Sequence, residues 1–399
     1  MNIGVPRETF LDEQRVAIVP AVVPKLTAAG FTILIEKGAG RQAGFTDDDY
    51  EAKGAVIVPG RQALFSQSDY IFQVHALSSP ETINPEDLGL MHQGQILISL
   101  LNPLAAPGVA TTLAARGVDA FALELMPRIA RAQSMDVLSS MATIAGYKAI
   151  VLAADHIPRL FPLLMTAAGT ILPARVFIIG AGVAGLQAIA TARRLGAVVR
   201  AWDVRSAAKE QVESLGAKFV EFPLTAQDSE TSAGYARTMD KAFYQRQQEL
   251  MAKVILESNV VVTSAAVFGS KAPILITGDT VQRMSPGSVI VDLVSEQGGN
   301  CELTESCKIV SRHDVTIIAL TNLAATVPYH ASQMFANNIT NFVLHLTNKG
   351  KIGPGAFDLN DEIVAGTMIT QGGKVVNPAV QKLLDSASTA TGESSGGNN

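Results

Sequence analysis

Two doubly wound α/β domains built on parallel sheets, the first interrupted by the second, are the fold class that this 399-residue sequence predicts. Three observations lead there. Short runs of β-branched and aliphatic residues alternate with helical patterns along most of the chain, which is the signature of a parallel sheet. Hydrophobic residues make up 48% of the sequence and aromatics only 6%, so the cores are aliphatic, as in sheets covered on both faces. A glycine-rich strand-turn-helix opens a second series of strands, and helical periodicity resumes after that series ends.

The first series places strands at 2–5, 31–35, 55–58, 70–74, 96–100 and 120–123. The second opens with a strand at 175–179, a glycine turn, a helix at 183–195 and a strand at 198–202. Strands at 218–221, 259–263, 288–293 and 315–319 follow, completing a sheet domain of about 180 residues, a usual size. From Pro328 the pattern changes. Residues 330–347 repeat apolar side chains at helical spacing (Met334, Phe335, Ile339, Phe342, Val343, Leu346), and 363–376 reads as a hairpin turned at Gln371-Gly372-Gly373. A lone α/β unit rarely carries such an appendix, so it is expected to pack back on the first domain. The expected organisation is therefore 1–138 with 328–385 as a discontinuous first domain, 139–327 as the second, and 386–399 as a disordered polar tail.

The glycine turn carries the chemistry. In Val176-Phe-Ile-Ile-Gly180-Ala-Gly182-Val183-Ala-Gly185, Gly180 permits a tight turn, Gly182 lets backbone approach a pyrophosphate, and Gly185 lets helix and strand pack closely. The N–H groups at the start of the helix, from Val183 on, face the anion. Asp203, in Trp202-Asp203-Val204-Arg205, ends the next strand, where a carboxylate accepts hydrogen bonds from the adenosine ribose. This is a Rossmann fingerprint, and an acid in that place favours NAD(H) over its 2′-phosphorylated relative. Arg205 can mark a 2′-phosphate site but is read here as a solvated side chain over the adenine. The small residues of Val262-Thr263-Ser264-Ala265-Ala266 belong at the carboxyl edge beside the nucleotide, where Ala265 and Ala266 are expected to touch it.

Other functions find little support. A formal net charge of −5 leaves no basic footprint for nucleic acid. Cys301 and Cys307 fit neither a common zinc site nor a disulfide framework, and the histidines at 92, 156, 313, 330 and 345 form no metal-binding pair with a carboxylate. The N-terminus runs straight into a strand, with no signal-peptide pattern. No uncharged apolar run reaches about 18 residues free of polar clusters, so no membrane span is expected.

Ile3-Gly-Val-Pro-Arg-Glu8, Glu13-Gln-Arg15-Val-Ala-Ile-Val-Pro20, Gly38-Ala-Gly and Ala43-Gly-Phe-Thr-Asp47 together resemble the opening of the alanine dehydrogenase and nicotinamide nucleotide transhydrogenase superfamily. The resemblance runs over about residues 1 to 384. Within it, Glu124-Leu-Met-Pro-Arg128-Ile-Ala-Arg131-Ala-Gln133-Ser-Met-Asp136-Val-Leu-Ser139 is similar to the segment that identifies the NAD(H)-binding component of proton-translocating transhydrogenases. That resemblance implies that Arg128, Gln133 and Asp136 surround the nicotinamide and act in hydride transfer, that Ser139 is a further contact, and that Gly234 and Tyr235 belong to a mobile loop closing over the nucleotide. It also implies a homodimer on the cytoplasmic membrane face, working with an NADP(H)-binding subunit and membrane-spanning subunits on separate chains.

The loop chemistry agrees with that implication. Hydride transfer between two nicotinamides moves no proton to or from a substrate and needs two C4 atoms at contact distance with water excluded. Gln133 offers a donor and an acceptor without charge. An ordinary ion pair between Arg128 and Asp136 at a helix start is the structural alternative. In alanine dehydrogenases an Arg, a Lys and a His hold the substrate. Arg15 stands at the first position, His75 stands where the Lys would be, Leu101 and Asn102 stand where the His would be, and Glu296 replaces an Asp. Without the Lys and His, the charge anchor and the proton-transfer group for amine oxidation are missing. Arg15 then serves structure, for example by pairing with Glu8. An alanine-type amino-acid dehydrogenase and a non-catalytic NAD-sensing module are the other two readings.

Overall fold

The computed structural model describes residues 1–222, 241–266, 271–347 and 357–393. The chain forms two compact units, Met1–Met141 with Ala325–Asn399, and Ala142–Ala324. The architecture is α/β with parallel-dominated sheets, one in each unit.

In the discontinuous unit the eight strands run, edge to edge, Lys374–Val375, Met368–Gln371, Asp119–Ala122, Ile96–Leu100, Tyr70–His75, Asn2–Val5, Thr32–Glu36, Val56–Val58. Alternate side chains enter separate cores. Ile3, Val5, Ile33, Ile35, Tyr70, Phe72, Ile96 and Ile98 join one, while Leu34, Ile71 and Leu97 join the other. A period of two with both phases apolar is what burial on both faces demands. The inserted unit repeats this in the order Lys218–Phe219, Val198–Trp202, Arg175–Ile179, Val260–Thr263, Val289–Asp292, Val315–Ile318, Ile309–Arg312. There Val176 and Ile178 face one core, and Phe177 and Ile179 the other.

Neither sheet is wholly parallel. Ile309–Arg312 pairs antiparallel with Val315–Ile318 at one edge, and in the other sheet Met368–Gln371, one strand in from the edge, pairs antiparallel with Asp119–Ala122. The second pairing is how the C-terminal segment rejoins the first unit. Thr370 Oγ1 accepts from Ala120 N at 3.0 Å and donates to Val118 O at 2.8 Å, fixing the junction. The helix Pro328–Thr347 lays Phe335, Ile339, Phe342 and Val343 into the same core, with Phe342 edge-on to Phe121 at 5.5 Å between ring centroids.

Two expectations need correction. Residues 363–376 are not simply a hairpin: Asp361 accepts from Ile363 N and starts a short helix, Glu362–Thr367, before the two strands. The polar tail is helical through Glu393, because Asn377 accepts from Ala379 N at 3.1 Å and starts a helix, Pro378–Glu393, that nothing interrupts before residue 394. Among the described residues one helix, Val137–His156, is long and apolar enough to cross a membrane by length and composition. Part of its apolar surface enters protein cores, Val137 in one unit and Ala149, Ile150 and Ala153 in the other, while Leu138 and Tyr147 are exposed.

If the returning helix holds the discontinuous unit together, Phe342→Ala removes a fully buried ring and should destabilise it by about 3–5 kcal/mol. Urea unfolding followed by circular dichroism reads this as a lowered midpoint; a loss well under 1 kcal/mol would show that the helix is dispensable.

Candidate functional site

The glycine turn sits between the strand Arg175–Ile179 and the helix Val183–Arg194. Gly180 has φ +95, and a Cβ there would meet Ser264 Oγ at 2.9 Å and Ala265 N at 3.1 Å. At Gly185 a Cβ would lie 1.9 Å from Gly180 O, so close helix-strand contact requires glycine. Gly182 is different. Its φ of −75 suits any residue, and a Cβ there would meet nothing within 4 Å. Protein packing therefore does not explain this glycine, whereas room for a phosphate at the helix start does. The helix opening fits an anion as well: no side chain caps it, and its first turn carries no acid. Val183, its first residue, is exposed.

Asp203 is buried at the end of Val198–Trp202 and holds the turn from the side, accepting from Ala181 N at 2.7 Å. The reading of Arg205 as a solvated side chain is corrected. Its backbone N (2.8 Å) and Nε (2.9 Å) donate to Asp203 Oδ1, and its Nη2 donates to Oδ2 (3.0 Å). The short loop lets the guanidinium fold back on the carboxylate two residues earlier. Val204 between them leans on the core.

Across the switch point, Ser264 Oγ donates to Gly180 O at 3.0 Å. Asn300 clamps Ala265 on both sides: Oδ1 accepts from Ala265 N at 3.0 Å, and Nδ2 donates to Ala265 O at 2.9 Å. Asn300 is fully buried and is itself held by Asp292 Oδ2, which accepts from Asn300 N (2.8 Å), Cys301 N (3.1 Å) and Thr304 Oγ1 (2.7 Å). Ser264, Asp292 and Asn300 are positioning residues that the sequence reading missed. Gln297-Gly298-Gly299 was the available signal, since the left-handed glycines (φ +98 and +79) turn the next residue back toward the sheet edge. Ala266 follows at the same edge, half-buried.

The segment bearing Arg128, Gln133, Asp136 and Ser139 lies in the discontinuous unit. A 3-10 turn, Ala130–Met135, buries Ala132 and Met135 and leaves Gln133 exposed; Arg128 just before it is also exposed. Asn338 and Asn341 on the helix Pro328–Thr347 both donate to Ser134 O, at 2.9 and 3.1 Å, and Arg131 reaches Asp361 at 3.2 Å. Asp136 caps Val137–His156, accepting from Ser139 N at 2.9 Å and Ser139 Oγ at 2.5 Å. The two site residues are thus tied together, and the carboxylate is held by a helix start. Gly234 and Tyr235 lie outside the described residues.

At the positions that would bind an amino acid, the side chains engage one another. Arg15 forks onto Glu13, not Glu8, with Nε to Oε1 at 2.7 Å and Nη2 to Oε2 at 2.5 Å, both residues buried. Burial opposes ionisation of Glu13, but the hydrogen bonds and charge of Arg15 outweigh it and hold the carboxyl at about 2. His75 stacks on Phe10 at 4.7 Å, and burial lowers its pKa to about 4. Glu8 accepts from Val74 N and His75 N at 2.7 and 3.0 Å, yet burial, reinforced by the Glu13 charge, pushes it up to about 8.

These shifts set a pH dependence. Glu8 keeps its proton to about pH 8 when folded but loses it near 4.5 when unfolded, so its contribution to stability declines as pH rises through that window. His75, lowered from 6.5 to about 4, contributes in the opposite sense and is finished by about pH 6.5. Between pH 6.5 and 8, Glu8→Gln should therefore flatten a decline in the urea midpoint that the wild-type chain shows; parallel profiles for the two would contradict the assignment.

Comparison with known proteins agrees with this geometry. Residues 4–145 match the alanine dehydrogenase/PNT N-terminal domain and residues 149–378 the C-terminal domain of the same family. The chain is 45% identical over 382 residues to the first part of the NAD(P) transhydrogenase alpha subunit of Rhodospirillum rubrum, covering 95% of this chain and 99% of that protein. A crystal structure of transhydrogenase from Sinorhizobium meliloti superposes with a TM-score of 0.81 at 38% identity, over 95% of this chain and 100% of that one. An L-alanine dehydrogenase structure follows at 0.78 and 27%, over 97% and 99%. The chain belongs to the alanine dehydrogenase/PNT family of NAD-binding, Rossmann-like oxidoreductases.

Proposed function

We propose that this chain is the NAD(H)-binding subunit of a proton-translocating NAD(P) transhydrogenase, passing hydride from NADH to NADP+ held by a partner subunit. One observation separates this reading from an amino-acid dehydrogenase. Arg15 is paired with Glu13, His75 stands in place of the lysine and stacks on Phe10, and Leu101 and Asn102 stand in place of the histidine, so the lysine and the histidine of an amino-acid site are both absent from their positions.

In this reading the helix start at Gly182 and Val183 takes the pyrophosphate, Asp203 the adenosine ribose, and Ala265 and Ala266 line the nucleotide edge. Bound NADH supplies the hydride from C4. Arg128, Gln133 and Asp136 orient the nicotinamide, with Ser139 holding Asp136, and no residue needs to move a proton at the reacting atoms. Proton coupling resides in membrane-spanning subunits, which hold this one at the cytoplasmic face. The name of the Rhodospirillum relative, one part of an alpha subunit, supports an assembly of several chains.

A homodimer is included in the proposal. The hairpin Leu164–Thr166 and Gly169–Ile171 presents apolar side chains outward, with Met165 79% and Leu172 78% exposed, alongside Leu163 and Ile171. Exposed apolar clusters of this kind favour association with a second copy. Met165→Asp with Leu172→Asp should shift the purified chain toward monomer in sedimentation equilibrium; an undisturbed dimer would place the interface elsewhere.

The functional test combines this protein with a transhydrogenase NADP(H)-binding component and follows NADPH formation from NADH. L-alanine with NAD+ should give no NADH above background, and robust NADH production would favour the dehydrogenase reading. In the same reconstitution, Gln133→Asn shortens the side chain by one methylene. Misplaced reacting atoms can cost about 100-fold, so the hydride step should slow strongly while NADH affinity changes less than about tenfold. An unchanged hydride rate would remove Gln133 from the catalytic group.

A further inference from the structure

An ionised carboxylate offers about four lone-pair positions. At Asp203 four donors are present: Ala181 N and Arg205 Nη2 on Oδ2, and Arg205 N and Nε on Oδ1. Two of the four are backbone groups fixed by the turn and the strand end. The other two, Nε and Nη2, form a parallel fork across both oxygens at 2.9 and 3.0 Å, the same two-point geometry that a vicinal diol would use on this carboxylate. The Arg205 side chain is 24% exposed, against 7% for Asp203, so the fork covers the carboxylate from its solvent side. Nη2 also reaches back toward Ala181 O at 3.4 Å, laying the guanidinium along the glycine turn.

We propose that Arg205 is an internal competitor for the adenosine ribose, its guanidinium occupying on Asp203 the positions that the 2′- and 3′-hydroxyls must take, so that nucleotide binding requires this side chain to swing off the carboxylate. The proposal rests on the reading of Asp203 as the ribose acceptor. It makes the affinity for the adenosine end a difference between two ligands of one carboxylate. Arg205 thereby tunes how readily the nucleotide enters and leaves, with no role at the reacting atoms. It also occupies the nearest guanidinium with Asp203, which withholds it from a 2′-phosphate.

Adenosine is the deciding probe, because it carries the diol but no phosphate whose attraction to Arg205 would obscure the competition. By calorimetric titration, Arg205→Ala should bind adenosine about 3- to 10-fold more tightly than the unaltered chain, the range expected from removing a charge-assisted competitor. Arg205→Lys keeps the charge but loses the fork, and should fall between the two. With 2′-deoxyadenosine the gain should shrink, since one hydroxyl cannot replace both donors. Adenosine affinity that is unchanged or weakened in Arg205→Ala, with the melting temperature preserved, would overturn the competition and make Arg205 a nucleotide contact or a strut. An equal gain for adenosine and 2′-deoxyadenosine would overturn it too, because the competition is for the diol. The underlying reading fails separately: if Asp203→Ala, still folded, binds adenosine as the unaltered chain does, Asp203 is not the ribose acceptor.

Discussion

Burial of both sheets on both faces is the constraint from which the rest of the structure follows. Each central strand sends its odd and even side chains into two different aliphatic cores, as Ile178 and Phe177 do in one unit and Ile98 and Leu97 in the other. A polar group set into such a strand must find a partner inside the core, as Gln73 finds Asp87 and Ser99 finds Ala76 N, or cost about 1–3 kcal/mol. Chemistry is thereby displaced to the carboxyl ends of the strands, where the chain turns and backbone N–H groups come free. Gly180, Asp203 and Ser264 stand at three adjacent strand ends in the inserted unit. Glu8, His75, Asn102 and Glu124 stand at or beyond strand ends in the discontinuous one.

Carboxylates shape those edges. Asp203 holds the glycine turn, Asp292 holds the loop that returns Asn300 to Ala265, Asp136 starts the long helix after the Gln133 turn, and Asp361 joins Arg131 and His345 below it. In each case a carboxyl group meets backbone N–H groups or a basic side chain. Hydrogen bonds to charged groups contribute about 1.5–3 kcal/mol, roughly twice a neutral one.

Much of this was legible in the sequence because parallel strands buried on both faces are short, aliphatic and separated by helices. The runs at 2–5, 96–100, 175–179 and 198–202 coincide with the observed strands. Gly180 and Gly185 were legible because each has its own steric reason, which Gly182 lacks within the protein. What escaped detection was short-range side-chain geometry. That Arg15 folds onto Glu13, or Arg205 onto Asp203, depends on loop conformation that no periodicity encodes. Asn300 stands one residue past the Gly-Gly pair that aims it. The tail from Ser386 looked too polar to be helical, since helix continuation there follows from a good start at Asn377 and not from local apolar content. For the residues proposed to surround the nicotinamide, the family resemblance carried more than the spacing did. Arg128 and Gln133 are exposed side chains whose type alone is compatible with ordinary surface roles.

The central claim is that this chain holds one nicotinamide so that hydride passes directly to another, with no acid, base or solvent intermediate. Isotope tracing tests it most directly: NADH deuterated at both C4 positions is mixed with this protein, a transhydrogenase NADP(H)-binding component and NADP+, and the products are read by mass spectrometry. Direct transfer predicts NADPH carrying one deuterium at C4 and none released to water. Deuterium appearing in water, with unlabelled NADPH, would contradict direct transfer.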